Sequence, residues 1–369
     1  MRTLIIHNTL WAHYKSVLFD EINRIYPEAG EFHVLQIARS EKGRKGMDGG
    51  EKHYNYPYTL LFNEYLEDIP RWKEIYRVLK FILHYKPDVI NVTGYSSSAS
   101  TLPVIFLSKL LGKKVIMSNE STSKDKTRSL LKEGIKKMAI KACDGFVVFG
   151  KTSEQYVLDL GAKPDDILVQ KAAVVDNRAL ETLYFHAKQT LSFPEITTPK
   201  NFIFVGRMAP EKNVHLLVTA FQKASPLDWG LILVGQGSQD EQVESLIAKA
   251  PKNIYKYKAV NWTEVPAFFA RSNCFILPSA SEPWGLVINE AMVCGLPVVV
   301  TDICGCAPDL VQDNGLVIPA NDPSALEHAI KEMASTLSLE KMEAASRRII
   351  QDFSVQNVAK AYVNAVYNL

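Results

Sequence analysis

The chain has 369 residues, 47% of them apolar, with 42 basic side chains against 40 acidic ones. That length suffices for two domains with separate cores, and the apolar content excludes a disordered chain. A net charge of +2 calls for no nucleic-acid partner, and five cysteines in so long a chain argue against a disulfide framework. Cys304-Gly305-Cys306 lacks the second ligand pair of a zinc site and reads as packed, reduced thiols.

The apolar start from Met1 to Ile6 stops at His7 and Asn8, too short for a secretory signal. No apolar run approaches the length of a membrane span. The expected location is cytoplasmic, with any membrane contact peripheral, at the inner face.

In chain order, Leu4–Ile6 predicts a strand, Val17–Ile25 a helix ended by Pro27, and Phe32–Ile37 a second strand. Arg71–Tyr85 has helical spacing, with Ile75, Val78, Leu79 and Ile82 on one face. Strands follow at Val89–Val92, Val115–Met117 and Phe146–Phe149, separated by helices over Thr101–Leu111 and Thr127–Ala142. The stretch from Asn177 to Lys200 breaks this rhythm, ends in Pro and Thr residues, and reads as the interdomain connection.

Alternation then restarts. Phe202–Val205, Leu231–Val234, Phe275–Leu277 and Val298–Val300 each run into small or polar residues. The expected architecture is α/β, two Rossmann-like doubly wound domains facing across a cleft. Domain 1 spans 1–185, with a C-terminal helix at 354–369 crossing back, and domain 2 spans 200–350. Ligands of open α/β sheets bind at the C-terminal strand ends, where the second domain gathers its motifs.

Three motifs lie there. In VGRMAPEKN (205–213), Gly206 permits a tight turn, and Arg207 and Lys212 put two cations beside a helix expected to begin near Glu211 or Lys212, a combination suited to a diphosphate. In VGQGS (234–238), Gly235 and Gly237 allow close approach of a nucleotide. In LPSASEPWGLVINEAM (277–292), Glu282 precedes a helix beginning near Gly285 or Leu286, and Glu290 lies within it. Free N–H groups of the first turn can hold phosphate, a carboxylate further along can accept from a ribose diol, and one before the helix can hold sugar hydroxyls.

These motifs, with NGLVIPANDP (314–323), resemble a retaining glycosyltransferase of family 4 with the GT-B fold, and SNESTSKDKTR (118–128) extends the resemblance more weakly. The resemblance implies that Arg207 and Lys212 contact the donor diphosphate, Glu290 the ribose and Glu282 the transferred sugar. It also implies that Trp284, Gly285 and Leu286 lie near sugar and phosphate, Gly235 beside the nucleotide and Val260 near the base. Many members carry a Gly-Gly loop after the first strand, where this chain has His7 to Trp11. Many carry a first-domain histidine where it has Ser118-Asn119-Glu120. Glu120 or Ser121 is expected to fill that part of the site.

The implied reaction moves a sugar from a nucleotide-sugar donor to a glycan or lipid-linked acceptor, with retention, in cell-surface polysaccharide or glycoconjugate synthesis. No Asp-x-Asp motif is present, so no metal or other cofactor is expected; Arg207, Lys212, Glu282 and Glu120 are the catalytic candidates. A sugar-nucleotide epimerase and a non-catalytic nucleotide-sugar-binding subunit are the alternatives. Seven cations between Lys124 and Lys141, interleaved with apolar residues, offer an anionic membrane surface a contact, and the cationic loop from Arg39 to Lys52 suits the acceptor side.

Overall fold

The computed structural model describes residues 1–10, 12–42, 54–94, 98–122, 130–191, 193–248 and 253–369. Two compact units divide it: Met1–Val174 with Phe353–Leu369, and Val175–Asp352.

Unit 1 holds strands β1 (Arg2–Thr9), β2 (Glu31–Ser40), β3 (Tyr58–Tyr65), β4 (Val89–Thr93), β5 (Lys114–Asn119), β6 (Gly145–Val148) and β7 (Ile167–Val169). They form one sheet in the order β3-β2-β1-β4-β5-β6-β7, every pairing parallel. Its helices are α1 (His13–Ile25), α2 (Arg71–Tyr85), α3 (Thr101–Leu110), α4 (Leu130–Ala142), α5 (Lys151–Asp159) and the terminal α14 (Val355–Asn368). Parallel strands require crossovers, which are right-handed. The order reverses direction at β1/β4, so α1 lies on one face of the sheet and α2 to α5 on the other. Val78 and Ile82, Val104 and Ile105, Ala139 and Ile140, and Tyr156 and Val157 accordingly enter one core cluster with the strand residues. On the opposite face α1 packs on α14, where the rings of Tyr26 and Tyr367 meet at 5.6 Å.

Unit 2 opens with α6 (Asn177–Thr190) and continues β8 (Lys200–Val205), α7 (Val214–Ala224), β9 (Trp229–Val234), α8 (Asp240–Ile247), β10 (Ile254–Tyr257), α9 (Val265–Ala270), β11 (Cys274–Leu277), α10 (Leu286–Val293), β12 (Val298–Thr301), α11 (Ala307–Leu310), β13 (Gly315–Ile318), α12 (Pro323–Ser335) and α13 (Leu339–Ile350). Its parallel sheet has the order β10-β9-β8-β11-β12-β13. Phe202, Leu231, Phe275 and Val299 are fully buried, as expected of strands covered on both faces.

Three readings of the sequence are corrected. Asn177–Thr190 is no connection: Asp176 caps it, accepting from the Ala179 N–H at 3.1 Å, and Leu180, Tyr184 and Ala187 bury one face within unit 2. The edge strand β3 was not foreseen, because Phe62 is its one buried residue and the alternation is faint. No α-helix begins at Glu211 or Lys212 either. Pro210–Lys212 forms a 3-10 turn, Asn213 takes a left-handed conformation at φ 52°, and α7 starts at Val214.

Candidate active site

The strand ends of unit 2 are stitched together before any side chain is considered. Gly206 N–H donates to Val234 O at 3.0 Å and Gly235 N–H to Tyr257 O at 3.0 Å. Met208 N–H donates to Gln236 O at 3.1 Å, and its own carbonyl accepts from Gln239 N–H at 2.8 Å. The two glycine loops therefore form one laced platform. Gly235 has φ 150°, and a Cβ there would lie 1.8 Å from Gly206 O. The glycine is needed for contact between two strand ends, whatever binds above them.

A third loop joins the platform. Ala280 N–H donates to Glu211 O at 2.9 Å, and Gly305 N–H donates to Glu282 O at 3.0 Å. These bonds bring the 3-10 turn carrying Lys212 against the loop carrying Glu282, and the two side chains form an ion pair that is mostly buried. Arg207 stands more exposed and pairs with Glu211 at 2.6 Å. Gly285, at φ 94°, turns the chain into α10. Trp284 is buried there and donates its indole N–H to Asn289 at 2.9 Å, locking the start of the helix. Leu286 opens α10, and Val260 lies half-buried in the loop after β10.

Glu290 is on α10 between buried Asn289 and Ala291, and its carboxyl has no hydrogen-bond or ion-pair partner among the described residues. Burial raises its pKa from the ordinary carboxylate range to about 7. Since the folded state holds this proton more tightly than the unfolded chain, stability is greatest below the unfolded pKa and falls as pH rises through about 7. Glu290→Gln removes that penalty. The variant should be more stable than the parent by about 2–3 kcal/mol near pH 8, with the gap closing near pH 4, as urea denaturation at the two pH values would measure.

Cys304 and Cys306 are buried thiols. Burial pushes Cys304 up to about 11, and its Sγ lies 3.4 Å from Thr301 Oγ1. Cys304 itself pairs with Glu282 in an isolated parallel bridge.

Glu120 belongs to unit 1, at the end of β5, with Ser121 beside it. Its carboxylate pairs at 2.8 Å with Lys15, whose side chain is only 7% exposed and whose ammonium lies 4.8 Å from the Phe149 ring centre. The sequence reading missed Lys15, because a lysine in an amphipathic helix normally reads as solvated. Lys15 also borders a small cavity with Asn91, Ser118 and Tyr362. His7 is buried against Gln36 at 2.9 Å; burial first, and then Lys15, lower its pKa to about 4, so it is a neutral packing residue at ordinary pH. Residues 43–53 of the cationic loop and 124–129 of the basic stretch lie outside the described residues. Among the described residues, no helix is long and apolar enough to cross a membrane.

Several known proteins are similar to this chain. An O-antigen chain mannosyltransferase B of Escherichia coli is 30% identical over 170 residues, covering 44% of this chain and 44% of that protein. A probable sucrose-phosphate synthase of Thermosipho melanesiensis is 25% identical over 361 residues, covering 92% of this chain and 80% of the relative. The chain spans less than half the length of several other curated relatives it matches. Anabaena HepE in complex with UDP superposes with a TM-score of 0.76 at 16% identity, covering 100% of both chains, which establishes the shared fold. Within unit 2, residues 188–349 match the family of glycosyl transferases group 1.

Proposed function

We propose that the chain is a glycosyltransferase that moves a sugar from a nucleotide-sugar donor to a glycan or lipid-linked acceptor, with unit 2 holding the donor. The observation that carries this reading is the meeting of Lys212 with Glu282 at the strand ends of one sheet, just before the helix that carries the unpartnered Glu290. The family match over 188–349 supports it, and so does the fold shared with a protein solved in complex with UDP. The likeness to an O-antigen mannosyltransferase favours a role in cell-surface polysaccharide or glycoconjugate synthesis.

In this reading Arg207 and Lys212 face the diphosphate. A lysine ammonium has three donors; Glu282 occupies one, which leaves two for phosphate oxygens. Glu282, held by the same lysine, accepts from hydroxyls of the transferred sugar. Glu290 accepts from the ribose diol, and Gly235 and Gly237 give the nucleotide room. Trp284, Gly285 and Leu286 border sugar and phosphate, and Val260 the base.

The bond between the anomeric carbon and the phosphate oxygen breaks, its electron pair leaving with the diphosphate, while positive charge grows on the sugar ring. The chain offers no Asp-x-Asp pair, so the two cations take the charge of the leaving group. With retention, the acceptor oxygen bonds to the anomeric carbon on the face the phosphate leaves, and the departing phosphate oxygen takes its proton. Glu120, fixed by Lys15, is assigned to the acceptor side.

The test is to incubate the purified protein with nucleotide-sugars and measure nucleoside diphosphate release, with and without glycan acceptors. Release of diphosphate with a new glycosidic bond is the expected result. Conversion of the donor to its epimer with no diphosphate release would contradict this reading, and so would inert binding.

A further inference from the structure

Three neighbouring helices of unit 1 turn unusual side chains outward. On α2, Trp72, Tyr76, Lys80 and Leu83 are spaced by four, four and three residues and so form one stripe, opposite the buried Val78 and Ile82. Trp72 is 71% exposed, Tyr76 59% and Leu83 54%. On α3, Phe106 and Leu110 point outward, Leu110 at 83% exposure, and α4 adds Met138. All three helices cover the same face of the sheet, α2 beside α3 and α3 beside α4, so these residues share one outer surface.

Among the described side chains of α2, α3 and α4, the exposed charges are all cationic. Arg71, Arg77 and Lys80 are exposed on α2, and Lys137 and Lys141 on α4. The one acid of α2, Glu74, is turned inward and accepts from the Ser100 N–H at 2.9 Å. Among the acids just before α2, Lys42 takes both Glu67, through its N–H, and Asp68, through its ammonium. α3 carries no acid.

From this we infer that the α2–α3–α4 face of unit 1 docks on an anionic lipid bilayer. Monomers rarely leave several large apolar side chains together in water. Aromatic and aliphatic side chains that alternate with cations suit the interface plane of a membrane, where the rings enter the headgroup boundary and the cations meet lipid phosphates. A bilayer satisfies side chains spread over three helices at once. A protein partner would have to match each of them, and would add acids of its own to do so. The first turn of α2, with Trp72, follows the C-terminal end of β3, and Glu120 stands at the same edge of the sheet. A lipid-borne acceptor would therefore be presented toward Glu120. The docking itself does not depend on the proposed activity.

The test is co-sedimentation of the full chain with vesicles of phosphatidylglycerol and phosphatidylcholine in equal parts, and with phosphatidylcholine alone. The parent should bind the anionic vesicles selectively, less so at high salt, with a blue shift of tryptophan emission. Trp72→Glu with Tyr76→Glu, and separately Arg71→Gln with Lys80→Gln, should each lower the partition coefficient by about tenfold or more. Melting temperature and diphosphate release from soluble donor should stay at parent values. Three results would overturn the inference: a parent that does not sediment, variants that bind like the parent, or a parent dimer that the Trp72/Tyr76 variant dissolves, which would make this face a contact between copies.

Discussion

Lys212→Ala should lower kcat by about a hundredfold or more in a protein that still folds. One preorganised charge contact at a leaving group is worth roughly 3–4 kcal/mol in the transition state, and Lys212 is the better held of the two cations. Arg207 is mostly exposed and shared with Glu211, whereas Lys212 is mostly buried and fixed by Glu282. The substitution also strands Glu282 in a mostly buried position. Since water still reaches both groups, the stability cost should be near ~2 kcal/mol rather than that of a fully buried pair. Steady-state kinetics and urea denaturation on the same preparation separate the two effects. A folded variant with near-normal kcat would remove Lys212 from the chemistry.

Gly235→Ala should be among the most damaging single methyl additions in unit 2. The new Cβ would lie 1.8 Å from Gly206 O, an atom held in place by the laced strand ends, and the φ of 150° is hostile to any side chain. Overpacking against backbone, together with the strained dihedral, should cost about 3–5 kcal/mol. Gly112 gives the control. It too has positive φ, at 68°, but nothing lies within 4 Å of its Cβ position, so Gly112→Ala should cost only about 1–2 kcal/mol. Urea midpoints compare the two directly. A Gly235→Ala protein as stable as the Gly112→Ala protein would mean that the strand ends separate easily, and that the platform is not rigid.

The fold was legible where burial was complete. Strands such as Phe202–Val205 and Leu231–Val234 are apolar on both faces, so their pattern survives in one dimension, and the turn residues behind them marked the sheet edge. Partial burial hid the rest. β3 buries Phe62 alone, and α6 carries its apolar stripe on a mostly polar segment that leads into a Pro- and Thr-rich stretch. The start of α7 was misplaced because Asn213 adopts a left-handed conformation that residue type alone does not announce.

The sequence placed Glu290 in a helix beginning near Gly285 or Leu286, as α10 has it, but the different settings of Glu282 and Glu290 were invisible. Glu282 is tied to Lys212 through a turn 70 residues earlier, while Glu290 is left to desolvation. Lys15 shows the same limit. Its partner Glu120 follows β5, far along the chain from the helix that carries Lys15, and the Phe149 ring that lies against the ammonium comes from further on still.

The most direct measurement on the central claim is a thermal-shift series of the parent and the Lys212→Ala protein against UDP-, GDP-, ADP- and TDP-sugars. Binding to the folded state alone adds stability by mass action, about 2.7 kcal/mol at a hundredfold excess over Kd. The account predicts that one base class raises the melting temperature of the parent clearly above the others, and that Lys212→Ala loses most of that rise. A parent that no nucleotide-sugar stabilises, or a shift that survives in Lys212→Ala undiminished, would contradict it.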